Sequence, residues 1–181
     1  IRWQHPLHGL VQPDDFVPLL EESGLIIQVG KWVIQTACQQ INHWEEIGIM
    51  PPRVAVNVSA RQFEDEHFID HLEEILAESC CCADYLDFEI TETTLIHDVA
   101  ASSINLNKIR EMVIHLSIDD FGTGYSSLAY LSRLPIDTLK IDLTFIQSVT
   151  ENSNDAMITR SVIELAHNLG IKALAEGIET Q

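Results

Sequence analysis

Residues 113–142 read VIHLSIDDFGTGYSSLAYLSRLPIDTLKID. From Val113 to Ile118 apolar and polar residues alternate. Ile114, Leu116 and Ile118 take one face of a strand, and His115, Ser117 and Asp119 take the other. A glycine-containing loop follows from Asp120 to Tyr125. Ser126 to Arg133 predicts a short helix, and Thr138 to Ile141 a second strand. Strand, helix and strand in so short a stretch mark an α/β fold with a parallel sheet.

The same alternation extends outward. Pro13 to Glu22 predicts an acidic-capped helix ended by Gly24. Lys31 to Ile47 predicts an amphipathic helix carrying Ile34, Cys38, Ile41 and Trp44. Pro51-Pro52 stops it, and Arg53 to Val58 reads as a strand. Glu66 to Ala77 is helical, Leu86 to Ile90 a strand, and Thr94 to Met112 mainly helical. Asp155 to Leu169 forms a helix closed by Gly170, and Ile171 to Ala175 a last strand. These are five strands, each followed by helix or loop.

In a closed α/β barrel, chemistry sits at the C-terminal ends of the strands. Here those ends carry Asn57, Glu89, Asp119 with Asp120, Lys140 with Asp142, and Glu176. Carboxylates converging in one mouth repel each other unless a cation offsets them. Oxygen ligands point to Mg²⁺, Mn²⁺ or Ca²⁺ and away from a thiolate zinc site. Glu89-Ile90-Thr91-Glu92 and Glu176-Gly177-Ile178-Glu179 are two E-x-x-E pairs at strand ends. By itself, the G-x-G of Gly122, Thr123 and Gly124 requires only a tight turn. His5 and His8 read as loop histidines rather than as a metal pair.

The 181 residues suit one well-buried domain. Ten Lys plus Arg face 28 Asp plus Glu, a net charge of −18. That balance excludes a nonspecific duplex-binding protein, which neutralises phosphates with basic side chains. A nucleotide ligand stays open, provided metal ions hold it. No apolar run reaches the roughly 18 residues of a membrane span, and no basic-then-apolar leader pattern is read in these residues. Cys38 and the run Cys80-Cys81-Cys82 fit reduced thiols in the cytoplasm. A chain opening on Ile1 rather than Met points to a fragment.

Taken together, these motifs resemble the EAL-domain family of cyclic di-GMP phosphodiesterases. The matching residues are Arg2-Trp3-x-His5-Pro6-x-x-Gly9, Asn57-Val58-Ser59, Glu89-Ile90-Thr91-Glu92, Asp119 through Leu128, Lys140-Ile141-Asp142 and Ala175 through Thr180. The resemblance implies a modified (β/α)₈ TIM-type barrel, incomplete in this chain. Residues 1–181 would lack the first strand, the Glu-Ala-Leu segment and the closing strand and helix. It also implies a metal-dependent hydrolase that opens cyclic di-GMP to linear pGpG in bacterial signalling. Two ions, Mg²⁺ or Mn²⁺ with Ca²⁺ inhibitory, would lie roughly 3.5–4 Å apart and activate a water.

By the same resemblance Asn57, Glu89, Asp119, Asp120 and Glu176 are metal ligands. Lys140 and Glu176 are catalytic, and Arg2 contacts a substrate phosphate. Glu92, Glu179, Gly122, Thr123 and Gly124 support the loop after Asp120. The longer protein is expected to be a homodimer, cytoplasmic or anchored through other domains, and to bind no DNA or RNA. This chain alone is expected to be a weak catalyst or inactive. The competing reading is a catalytically idle cyclic di-GMP sensor or a protein-interaction module.

Overall fold

A computed structural model describes residues 1–49, 53–123 and 131–178. The chain divides into two compact units, Ile1–Leu86 and Asp87–Gln181. Among the described residues no helix is long and apolar enough to cross a membrane.

The first unit opens with a ribbon the sequence pattern does not predict. Strand β1 (Trp3–His5) pairs antiparallel with β2 (Gly9–Val11), Trp3 opposite Val11. Three residues are too few to show an alternation. The helix Pro13–Ser23 carries Pro13 in its first turn with Asp14 and Asp15, and ends on Gly24 at φ 77°. Each choice suits its position: a proline needs no N–H donor there, and acids favour the positive helix end.

The next helix, Ile26–Glu46, starts before the expected Lys31. Ile26 and Gly30 are buried on the same helix as Ile34, Cys38 and Ile41, so the apolar face is longer than the periodicity suggests. Strand β3 spans Val54–Asn57. A short helix, Ala60–Phe63, follows, held by a reciprocal capping box between Ser59 and Gln62. The helix Phe68–Ser79 completes the unit and packs Phe68, Leu72 and Ile75 inward.

In the second unit, β4 (Leu86–Thr91), β5 (His115–Phe121), β6 (Thr138–Ile141) and β7 (Lys172–Ala175) pair in that order, all parallel. Phe88, Ile90, Leu116, Ile118, Leu139 and Ile141 are buried along them. The helix expected over Thr94–Met112 is two, Glu92–His97 and Val99–Glu111. Asp98 divides them, its side chain accepting hydrogen bonds from Ala100 N and Ala101 N. Strand β5 runs beyond the expected Ile118 to Phe121. A helix not read from sequence, Leu143–Gln147, starts behind Asp142, and Ser153–Leu169 is capped by Asn152. Residues 126–130 of the expected Ser126–Arg133 helix lie outside the described residues. Among the described residues, strands β3 to β7 match the five read from sequence, where a closed barrel has eight.

Candidate functional site

The site is built at the ends of four neighbouring strands, β4 to β7. In β4, Leu86, Phe88 and Ile90 are buried while Asp87 and Glu89 keep partial exposure on the other face. Parallel register sets Glu89 opposite Ser117 and Thr91 opposite Asp119. Ser117 Oγ donates to Asp87 Oδ1 at 2.8 Å, one layer below the strand ends. That pair is absent from the sequence-based set, although Ser117 shares a strand face with Asp119.

Asp119 and Asp120 are adjacent, so a regular strand would point them to opposite faces. The β5–β6 pairing instead shifts register between Ile118 and Phe121, and Asp120 has φ 53°. This bulge re-aims one side chain. As a result, ligand oxygens of Asp119, Asp120 and Glu176 all lie within 4.8 Å of one another.

Lys140 reaches into the same place from β6. Its Nζ lies 2.8 Å from Glu89 Oε1, 2.9 Å from Asp119 Oδ1 and 2.6 Å from Glu176 Oε1. Burial works against its charge, but hydrogen bonds to Glu176, Glu89 and Asp119 outweigh it and hold the ammonium above its usual range. Glu89 is also raised. Desolvation is the larger effect there, and the Lys140 hydrogen bond and charge offset only part of it. Asp120 is raised by burial first, then by the charge of Asp119 and a hydrogen bond shared with Asp142. Asp142 is lowered, chiefly by its side-chain bond from Thr144.

The following loop is tied to the cluster through its backbone. Glu92 is 4% exposed, and its Oε2 accepts a hydrogen bond from Gly122 N at 3.0 Å. Gly122 has φ 102°, and a Cβ there would sit 3.1 Å from Phe145 Cε2. Thr123 Oγ1 donates to Asp120 O at 2.8 Å. Gly124 and Glu179 lie outside the described residues.

Two expected residues belong to the first unit. Asn57 ends β3 and is exposed. Arg2 lines a cleft of about 520 Å³ with Trp3, Phe16, Leu19 and Trp32. The cleft joins apolar walls to one cation. His5 Nδ1 accepts from Leu7 N and His8 N, so that nitrogen is engaged by backbone.

Glu89, Asp119, Asp120, Lys140 and Glu176 therefore form one group. Its hard carboxylate oxygens, three of them close enough to share a ligand, suit an oxygen-coordinated divalent cation.

A family model described as the EAL domain matches residues 1–181. The chain belongs to the EAL-domain family. It is 43% identical over 181 residues to the bifunctional diguanylate cyclase/cyclic di-GMP phosphodiesterase MucR of Pseudomonas aeruginosa, covering 100% of this chain and 26% of that protein. The cyclic di-GMP phosphodiesterase NbdA of the same organism is 40% identical over 180 residues, 99% of this chain and 23% of NbdA. This chain thus spans about a quarter of the length of these curated relatives. The solved MucR phosphodiesterase in complex with c-di-GMP superposes with a TM-score of 0.95 at 43% identity, over 99% of this chain and 73% of that one. The fold is the TIM-barrel-like α/β fold of EAL domains, incomplete in this chain.

Proposed function

We propose that this EAL domain hydrolyses cyclic di-GMP to linear pGpG with the help of divalent cations. The observation that carries the reading is the convergence of Glu89, Asp119 and Glu176 on Lys140, with Asp120 completing an oxygen cluster. Membership of a family whose relatives are named cyclic di-GMP phosphodiesterases supports the substrate.

Asp119, Asp120 and Glu176 would hold a cation, with Glu89 and Asn57 as further ligands. Mg²⁺ or Mn²⁺, when bound, supplies Lewis-acid polarisation of the phosphodiester and a lowered pKa for water. The remaining tasks fall to the chain's own groups. Lys140 keeps its ammonium charged and dry, so it orients the attacking water or offsets charge developing on the phosphoryl oxygens. Glu176 accepts a proton at its carboxylate. Glu92, through Gly122 N, holds the backbone directly after β5. Arg2, beside an apolar cleft, suits a phosphate attached to a purine. A homodimer of the longer protein in the cytoplasm fits the same reading.

The test is conversion of cyclic di-GMP to pGpG by the full-length protein with Mg²⁺ or Mn²⁺. Asp119→Asn should lower turnover at least 100-fold, the scale of removing one preorganised electrostatic group. Binding without product in the intact protein would replace the hydrolase reading with that of a sensor. Unchanged turnover in Asp119→Asn would remove the cluster from the chemistry.

A further inference from the structure

Two thiols come together in the Ile1–Leu86 unit. Cys38 is 0% exposed on the helix Ile26–Glu46. Cys81 is 9% exposed and follows the helix Phe68–Ser79. The two thiols are near enough for each to act on the other's ionisation. Neighbouring contacts fix the same alignment. One turn beyond Cys38, Asn42 Nδ2 donates to Ser79 O at 2.6 Å, and Cys81 N donates to Ser79 Oγ at 3.3 Å. Cys80 ends the second helix in the left-handed region at φ 52°. Cys81 lies buried after that turn, while Cys80 and Cys82 are exposed.

We propose that Cys38 and Cys81 are a modification site that forms a reversible intramolecular disulfide, with a low-molecular-weight disulfide as oxidant. Cys81 reacts first, because it keeps some exposure and lies in a non-helical segment. Its thiolate attacks one sulfur of the oxidant RSSR, forming Cys81–S–SR and releasing RS⁻, which takes up the proton Cys81 lost. Cys38 then gives up its proton and attacks the Cys81 sulfur, forming the Cys38–Cys81 bond and releasing a second RSH. Two protein thiols are oxidised, one RSSR is reduced, and both protons leave on the released thiols.

The surroundings set the kinetics. Burial, with Cys38 alongside, pushes the Cys81 thiol up to about 12. The nucleophile is the thiolate, so the bond forms slowly near neutral pH and faster as pH rises. The same high pKa makes Cys81 a poor leaving group, so reduction back to the two thiols is slow. The link would close the chain across the helices Ile26–Glu46 and Phe68–Ser79, stabilising the first unit by restricting its unfolded state.

The experiment incubates the full-length protein with glutathione disulfide at pH 7 and pH 9. Free thiols are then blocked and peptides are mapped by mass spectrometry without reductant. The expected result is a Cys38–Cys81 cross-link, formed at least tenfold faster at pH 9, with Tm raised by about 5 °C. Cys80→Ser/Cys82→Ser should retain both effects, and Cys38→Ala should lose both. Because Cys38→Ala removes a buried side chain, the surface double variant provides the independent arm. Mixed disulfides alone, a link within Cys80–Cys82, or loss of the cross-link in Cys80→Ser/Cys82→Ser would overturn the proposal.

Discussion

Lys140 shows how one residue governs the site's electrostatics. Its ammonium faces three carboxylates whose side chains are 12% (Glu89), 13% (Asp119) and 28% (Glu176) exposed. Removing a buried partner leaves uncompensated charge, which costs about 3 kcal/mol or more. Lys140→Met should therefore lose about that much stability at pH 7 in urea titrations with chelator present. Glu89 is already raised by burial, and loss of the Lys140 hydrogen bond and charge raises it further. A folded-state carboxyl that holds its proton more tightly than the unfolded one gains stability as pH falls. The deficit should accordingly shrink on going from pH 7 to pH 5. An equal deficit at both values would show that packing, not charge, sets the loss. At this scale, alternation alone singled out Glu89 and Asp119. It could not place Asp120 beside Asp119, because that depends on a bulge and a positive φ that no residue pattern announces.

Among the elements, the helix Ile26–Glu46 carries the sharpest test. A glycine inside a helix normally costs about 1 kcal/mol relative to alanine, so Gly30→Ala would ordinarily stabilise. Here a Cβ on Gly30 would overlap the Gln62 side chain at Nε2 and Cδ. Gln62 is 4% exposed and completes the capping box with Ser59, so it has little freedom to retreat. Gly30→Ala should instead destabilise by about 2 kcal/mol, on the scale of overpacking a core. A rise in Tm would mean that Gln62 moves aside at no cost. This contact also explains what was legible among the elements. Strong local periodicity revealed the helices at Pro13, Phe68 and Ser153 and the strands β3 to β7. The β1–β2 ribbon, the Ser59–Gln62 cap and the break at Asp98 rest on single side chains or three-residue pairings, too brief for a period to show. Glu89, Asp119, Lys140 and Glu176 share a side because parallel pairing of β4 to β7 brings those strand ends together.

For the molecule as a whole, the net charge of −18 makes two contributions to ionic behaviour separable. Diffuse self-repulsion destabilises a strongly charged fold and is relieved by any salt. A cation held by Asp119, Asp120 and Glu176 would stabilise through mass action, by about 2.7 kcal/mol at 100 times its dissociation constant. Melting curves should therefore rise modestly with NaCl and by several degrees more with MgCl₂ at the same ionic strength. Asp119→Asn removes a ligand but only one of 28 acidic charges. It should keep the NaCl response and lose the MgCl₂ excess. The predicted difference is one of site and not of total charge, because screening acts on every acid alike whereas coordination needs oxygens brought together. If NaCl and MgCl₂ act equally on the unmodified protein, the cluster holds no cation under those conditions, and Lys140 is the charge that balances it.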